Sequence, residues 1–102
     1  MASVNISEPE PGRFVVGFSG ELDIVSVEGI EAQVEDLLVL PATRVDLDLT
    51  DLAFMDSSGL AVLVRIANQF GPLRVVGARP LVRRVIEVTG LTEILQLHGE
   101  AP

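Results

Sequence analysis

Asp56-Ser57-Ser58-Gly59, preceded by Phe54-Met55 and followed by Leu60, is the stretch whose residue types and spacing best support chemistry. It lies where an extended segment passes into a helically periodic one. The first turn of a helix leaves backbone N–H groups unpaired, and Asp and Ser cap them with side-chain oxygens. The same helix end carries partial positive charge and accommodates a phosphate. A serine there is at once a cap residue and a candidate phosphate acceptor. Modified, Ser57 would gain roughly two negative charges. The two roles are compatible, and the local residues leave both open.

Other constellations carry less. Asp46-Leu47-Asp48-Leu49-Thr50 spells the D-x-D-x-T pattern of haloacid-dehalogenase-type phosphatases, in which the first Asp attacks phosphate. Only about fifty residues follow it, and no Lys or further acidic set completes a metal site. The expectation is instead that Asp46 and Asp48 share the polar face of an alternating strand. His98, the sole histidine, has no activated serine to serve. Gly17-Phe18-Ser19-Gly20 stops short of a G-x-S-x-G elbow because Glu21 stands where the second motif glycine belongs. No G-x-G-x-x-G or P-loop spacing occurs. His98 is expected on the surface, and the protein is expected not to be an enzyme.

Short elements must position these residues. Val4-Asn5-Ile6-Ser7 alternates as a half-buried strand. Pro9 and Pro11-Gly12 mark a turn, and Arg13 to Ser19 reads as the second strand of a hairpin. Gly20-Glu21-Leu22-Asp23 is expected to close it as a loop. Ser26 is the expected N-cap of a helix from about Val27 to Leu40, with Val27, Ile30, Val34, Leu37 and Leu38 on one stripe and Pro41 ending it. Arg44 to Leu49 alternates strictly and is a strand, and Thr50 to Met55 is expected as a short connection. A second helix runs from about Ser58 to Phe70, its core face built on Leu60, Leu63, Ala67 and Phe70. Its opening run, Leu60-Ala61-Val62-Leu63-Val64, is apolar around most of the circumference. Either its neighbours are half-buried against a sheet or an exposed apolar strip beside Ser57 forms a partner surface.

Leu73 to Gly77 is a further strand, and Pro80 to Val88 a third helix with Pro in its first turn and Gly90 past its end. Ile94 to Leu97 is the last strand, and Gly99 to Pro102 is expected to fray. The predicted order is β-β-α-β-α-β-α-β, an α/β fold with a mixed, mostly parallel sheet packed against helices. The whole chain, residues 1–102, is expected to form one domain.

Composition narrows the functions. Of 102 residues, 48% are hydrophobic and none is Trp or Tyr, so a globular fold with an aliphatic core is expected. The absence of Cys excludes disulfides and thiolate metal sites. A net charge of −8 repels phosphate backbones and anionic membrane surfaces, which argues against nucleic-acid binding. No apolar run reaches the ~20 residues of a membrane span, and no signal peptide is legible. A cytoplasmic, monomeric protein without cofactor or metal is the expectation.

Four motifs in order resemble the stand-alone STAS domain of the anti-sigma factor antagonist type. Gly20-Glu21-Leu22-Asp23 is similar to the family's G-E-[LI]-D signature. Val45 to Leu49 is similar to its apolar strand with an internal Asp. Asp56-Ser57-Ser58-Gly59-Leu60 is similar to its D-S-[ST]-G-L motif. Pro80 to Leu91, with Thr89-Gly90-Leu91 at its end, is similar to the following helix.

The resemblance implies a partner-switching regulator of transcription, such as serves a stress response. The unmodified protein would bind an anti-sigma factor, typically an ATP-using serine kinase, and so free a sigma factor. The kinase would phosphorylate Ser57 and end the interaction, and a phosphatase would reset it. Asp23, Asp56, Ser57, Ser58, Gly59 and Leu60 would form the switch region, with ATP belonging to the partner. A phosphate joining Asp23 and Asp56 sets like charges together, and a penalty of ~2.7 kcal/mol weakens binding about a hundredfold.

The chain departs from the family pattern in three places. Ala61 stands where Gly is frequent, Ile24-Val25-Ser26 replaces more polar residues, and little follows Leu97, where the family commonly has a final helix. The resemblance also admits an accessory subunit of a non-transcriptional complex such as a lipid transporter. The Ser57-Ser58 pair favours the antagonist.

Overall fold

A computed structural model describes residues 1–99 of the chain. Strands β1 (Ala2–Glu10) and β2 (Arg13–Leu22) form an antiparallel hairpin about Pro11-Gly12. Then follow α1 (Ile24–Leu38), β3 (Arg44–Asp48), β4 (Leu52–Met55), α2 (Ser57–Phe70), β5 (Leu73–Val76), α3 (Pro80–Val88) and β6 (Leu95–His98). The sheet order is β1-β2-β3-β5-β6, with every pairing beyond the hairpin parallel. The mixed, mostly parallel α/β fold expected from the sequence is therefore observed. Glu100, Ala101 and Pro102 of the expected frayed tail lie outside the described residues.

Two boundaries near the motifs differ from the sequence expectation. The stretch read as a connection, Thr50 to Met55, contains β4, which pairs with the last residues of β2. β4 is only four residues long and lacks alternation, so periodicity does not reveal it. Correspondingly, β2 runs on through Glu21 to Leu22 where a loop was expected, because β4 supplies its edge partner there. The strand β1 is also longer than Val4–Ser7, following β2 along most of its length.

The helical crossovers all run the same way across the sheet: α1 links β2 to β3, α2 links β4, which lies against the end of β2, to β5, and α3 links β5 to β6. Right-handed connections moving in one direction put every helix on one face. Alternation agrees: Phe14, Val16, Phe18, Val45, Leu47, Leu49, Leu73, Val75 and Leu95 point into a single core with Ile30, Val34 and Leu37 of α1, Leu63 and Ile66 of α2, and Val82 and Ile86 of α3. The opposite face carries Arg13, Arg44, Asp46, Arg74, Gln96 and His98.

Candidate functional site

The carboxyl ends of β2 and β4 bring two helix starts side by side. Leu22 and Met55 are register partners in parallel strands, so the residues that follow them, Asp23 and Asp56, leave the sheet together. The Asp56 amide donates to the Leu22 carbonyl at 3.1 Å and locks the two junctions. Both leading residues, Leu22 and Met55, are buried in the core.

Each Asp caps its helix. Asp23 Oδ1 accepts from the Ser26 amide at 2.8 Å and the Val25 amide at 3.1 Å. In return the Asp23 amide donates to Ser26 Oγ at 2.9 Å, completing a capping box. The expected cap, Ser26, is thus the third helical residue, and α1 begins earlier than Val27. It also ends at Leu38, short of the expected Leu40. The backbone N–H of Ser26, then its hydroxyl, hold the Asp23 carboxyl below the usual aspartate range. Asp56 Oδ1 accepts from the Ser58 amide at 2.8 Å and the Gly59 amide at 3.3 Å. Asp56 rather than a serine caps α2, and Ser57 is its first helical residue.

The glycines of the two junction motifs, Gly20 and Gly59, are set by close approach. Gly20 has φ of 87°, and a side chain there would run into the carbonyl of Met1. At Gly59 a Cβ would lie 2.5 Å from both Leu22 Cβ and Leu22 O, and 2.8 Å from Met55 Cγ. The first turn of α2 therefore rests directly on the end of β2, and only glycine fits.

This arrangement sorts the expected switch residues. Ser57 is exposed at the start of α2, Ser58 and both aspartates are half-buried, and Gly59 and Leu60 are buried. Gly59 and Leu60 thus set the junction's geometry rather than its outer surface. Val62 and Leu63 are buried, Val64 is half-buried and Ala61 is exposed, so the apolar opening of α2 faces the core and offers no exposed strip. Exposed apolar side chains do flank the junction, but on other elements: Ile24 and Val25, 68% and 76% exposed, in the first turn of α1, and Phe54 in β4. The sequence signal for them was the replacement of polar residues at Ile24-Val25.

Asp46 and Asp48 are far from forming a phosphatase centre. Asp46 lies on the polar face of its strand, as expected, yet is only 1% exposed, because Arg13 and Arg44 close over it with hydrogen-bonded ion pairs. Asp48 Oδ1 accepts from the amide and hydroxyl of Thr50, fixing the turn into β4. Among the described residues no group of three His, Cys, Asp or Glu side chains could hold a metal ion. His98 is exposed, as expected. No helix among the described residues is long and apolar enough to cross a membrane.

Comparison with known proteins places this geometry. The STAS domain family model matches residues 5–100. An anti-sigma F factor antagonist of Paenibacillus polymyxa is 31% identical over 96 residues, covering 89% of this chain and 82% of the relative. The anti-sigma-B factor antagonist of Listeria monocytogenes is 26% identical over 101 residues, covering 95% and 89%. The crystal structure of an anti-sigma factor antagonist from Mycobacterium paratuberculosis is similar with a TM-score of 0.83 at 27% identity, over 96% of this chain and 86% of that one.

Proposed function

The chain belongs to the STAS domain family, and we propose that it is an anti-sigma factor antagonist that works by partner switching. Unmodified, it binds an anti-sigma factor of the serine-kinase type and releases a sigma factor. Phosphorylation of Ser57 ends the interaction, and a phosphatase restores it. The observation that carries this reading is the exposed Ser57, first residue of α2, beside two capping aspartates and next to exposed apolar side chains.

The chemistry of such a switch is local. A kinase needs a reachable hydroxyl, and Ser57 supplies one while Asp56 does the capping. Ile24, Val25 and Phe54 supply apolar area for a partner to cover. A phosphate on Ser57 would set two more negative charges beside Asp23 and Asp56 at the rim of that area. Like charges held together at a close interface cost several kcal/mol, roughly, and no refolding is required. The protein itself needs no cofactor; ATP and catalysis belong to the kinase. A monomer acting in the cytoplasm fits this role.

The test is a paired pull-down from the native host with Ser57→Ala and Ser57→Asp baits, the captured proteins being identified by mass spectrometry. Retention of a small ATP-binding, kinase-like protein by the Ala form alone is the expected result. If both forms hold the same membrane-transport component instead, the sigma-factor role is wrong.

A further inference from the structure

The helix-free face of the sheet holds a second cluster, separate from the Ser57 junction. Three of the seven arginines, Arg13, Arg44 and Arg74, gather there on neighbouring strands in a chain of net charge −8. Both oxygens of the central carboxylate are occupied. Asp46 Oδ2 accepts from Arg13 Nη2 at 2.9 Å and Nε at 3.2 Å, and Oδ1 accepts from Arg44 Nε at 3.1 Å. Asp48, two residues on, is turned to Thr50. Three positive charges thus face two negative ones.

Arg74 is the residue left over. It stands opposite Asp46 in the β3–β5 register, yet forms no ion pair among the described residues. Its Nε is shut off from solvent and has no hydrogen-bond partner among the described residues. Buried donors are almost always satisfied, and an exception calls for a group such as a water or an ion. Arg74 lines a groove of about 420 Å³ together with Arg44, Pro72, Gln96 and His98, and with Asp46, whose charge Arg13 and Arg44 neutralise. That volume lies within the range of small-molecule sites, ~300–1,000 Å³.

We propose that this groove binds a small organic oxyanion, a carboxylate or a phosphate monoester, with Arg74 as its anchor. The planar guanidinium fork matches two oxygens of either group, and the spare N–H groups of Arg44 add a second contact. Pro72 gives the ligand body an apolar side to rest on. The site is independent of the switch reading, since Ser57 lies at the strand ends on another surface.

The test is an NMR titration of the whole ¹⁵N-labelled chain with inorganic phosphate and, separately, with succinate, each against sodium chloride at matched ionic strength. The expected result is a saturable shift at Arg44, Arg74, Gln96 and His98, including the Arg74 Nε–H signal, weakened at least tenfold in Arg74→Gln. Arg74→Lys, which keeps the charge and loses the fork, is expected to weaken it as well and serves if the Gln variant does not fold. Arg65→Gln, on the distant Glu31 pair, is expected to leave the titration unchanged. Response to one anion only assigns the site to that class. Shifts no larger than those with chloride, or an undiminished response in the folded Arg74 variants, would overturn the proposal.

Discussion

Replacing Gly59 by alanine should destabilise the protein, although alanine is the better helix former. A Cβ at that position lies 2.5 Å from Leu22 Cβ and from the Leu22 carbonyl oxygen. Neither can yield freely. Leu22 is 0% exposed in the core, and its carbonyl accepts the Asp56 amide at 3.1 Å. The start of α2 must therefore move, and because backbone is among the atoms struck the cost is about 2–3 kcal/mol, the upper part of the overpacking range. The helix preference of alanine over glycine returns about 1 kcal/mol. The net loss is about 1–2 kcal/mol, which for a domain of this size lowers the midpoint by roughly 4–16 °C. Gly29→Ala is the control. Gly29 is exposed in α1, and a Cβ added there would meet no atom within 4 Å, so the same change should raise stability by about 0.4–1 kcal/mol. Both variants are compared with the parent by calorimetry in one buffer. A Gly59→Ala protein as stable as the parent would refute the close approach, and with it the account of why this motif position is glycine.

Other consequences follow from the ion pairs and caps. Asp46→Ala leaves the mostly buried Arg13 without its partner and should cost about 3 kcal/mol in urea unfolding, whereas Arg44→Gln should cost under about 1 kcal/mol because Asp46 keeps Arg13 and the lost pair is half-exposed to water. Equal costs would show that the pair is not buried in the way described. Asp23 should impose a pH dependence. Its carboxyl titrates below the ordinary aspartate value in the folded protein, so its contribution is present above that ordinary value and is lost as pH falls through the folded one. Asp23→Asn keeps a capping side chain without the charge, so the acid limb of its stability curve, followed by urea unfolding between about pH 5 and 2, should be flatter than the parent's. Parallel curves would sink the assignment.

The architecture was legible in the sequence because its signals are periodic. Strict alternation over Arg44 to Leu49 marks β3, and the stripe Ile30, Val34, Leu37 marks the buried side of α1. The elements that escape such a reading are those fixed by pairing. Leu52-Ala53-Phe54-Met55 is a strand only because the free edge of β2 lies beside it, and Leu22 ends a strand for the same reason. Cap choice escapes on a similar ground. Ser26 and Asp23 are both good caps by type, and what decides between them is that β2 ends at Leu22, which makes Asp23 the first residue free to turn.

The burial of Asp46 shows the limit of reading faces from one strand. Alternation puts Asp46 on the side away from the helices, and the structure agrees with that. Alternation says nothing of what neighbouring strands place over that side. Arg13 arrives there from β2, thirty-three residues earlier, and buries a carboxylate that the pattern of its own strand places only on a polar face. The same register leaves Arg74, on the other flank of Asp46, without an ion pair and with its Nε unbonded among the described residues. Asp46 takes its three hydrogen bonds from Arg13 and Arg44, so the order and register of the strands decide which cation the carboxylate holds and which stands beside it unpaired among the described residues.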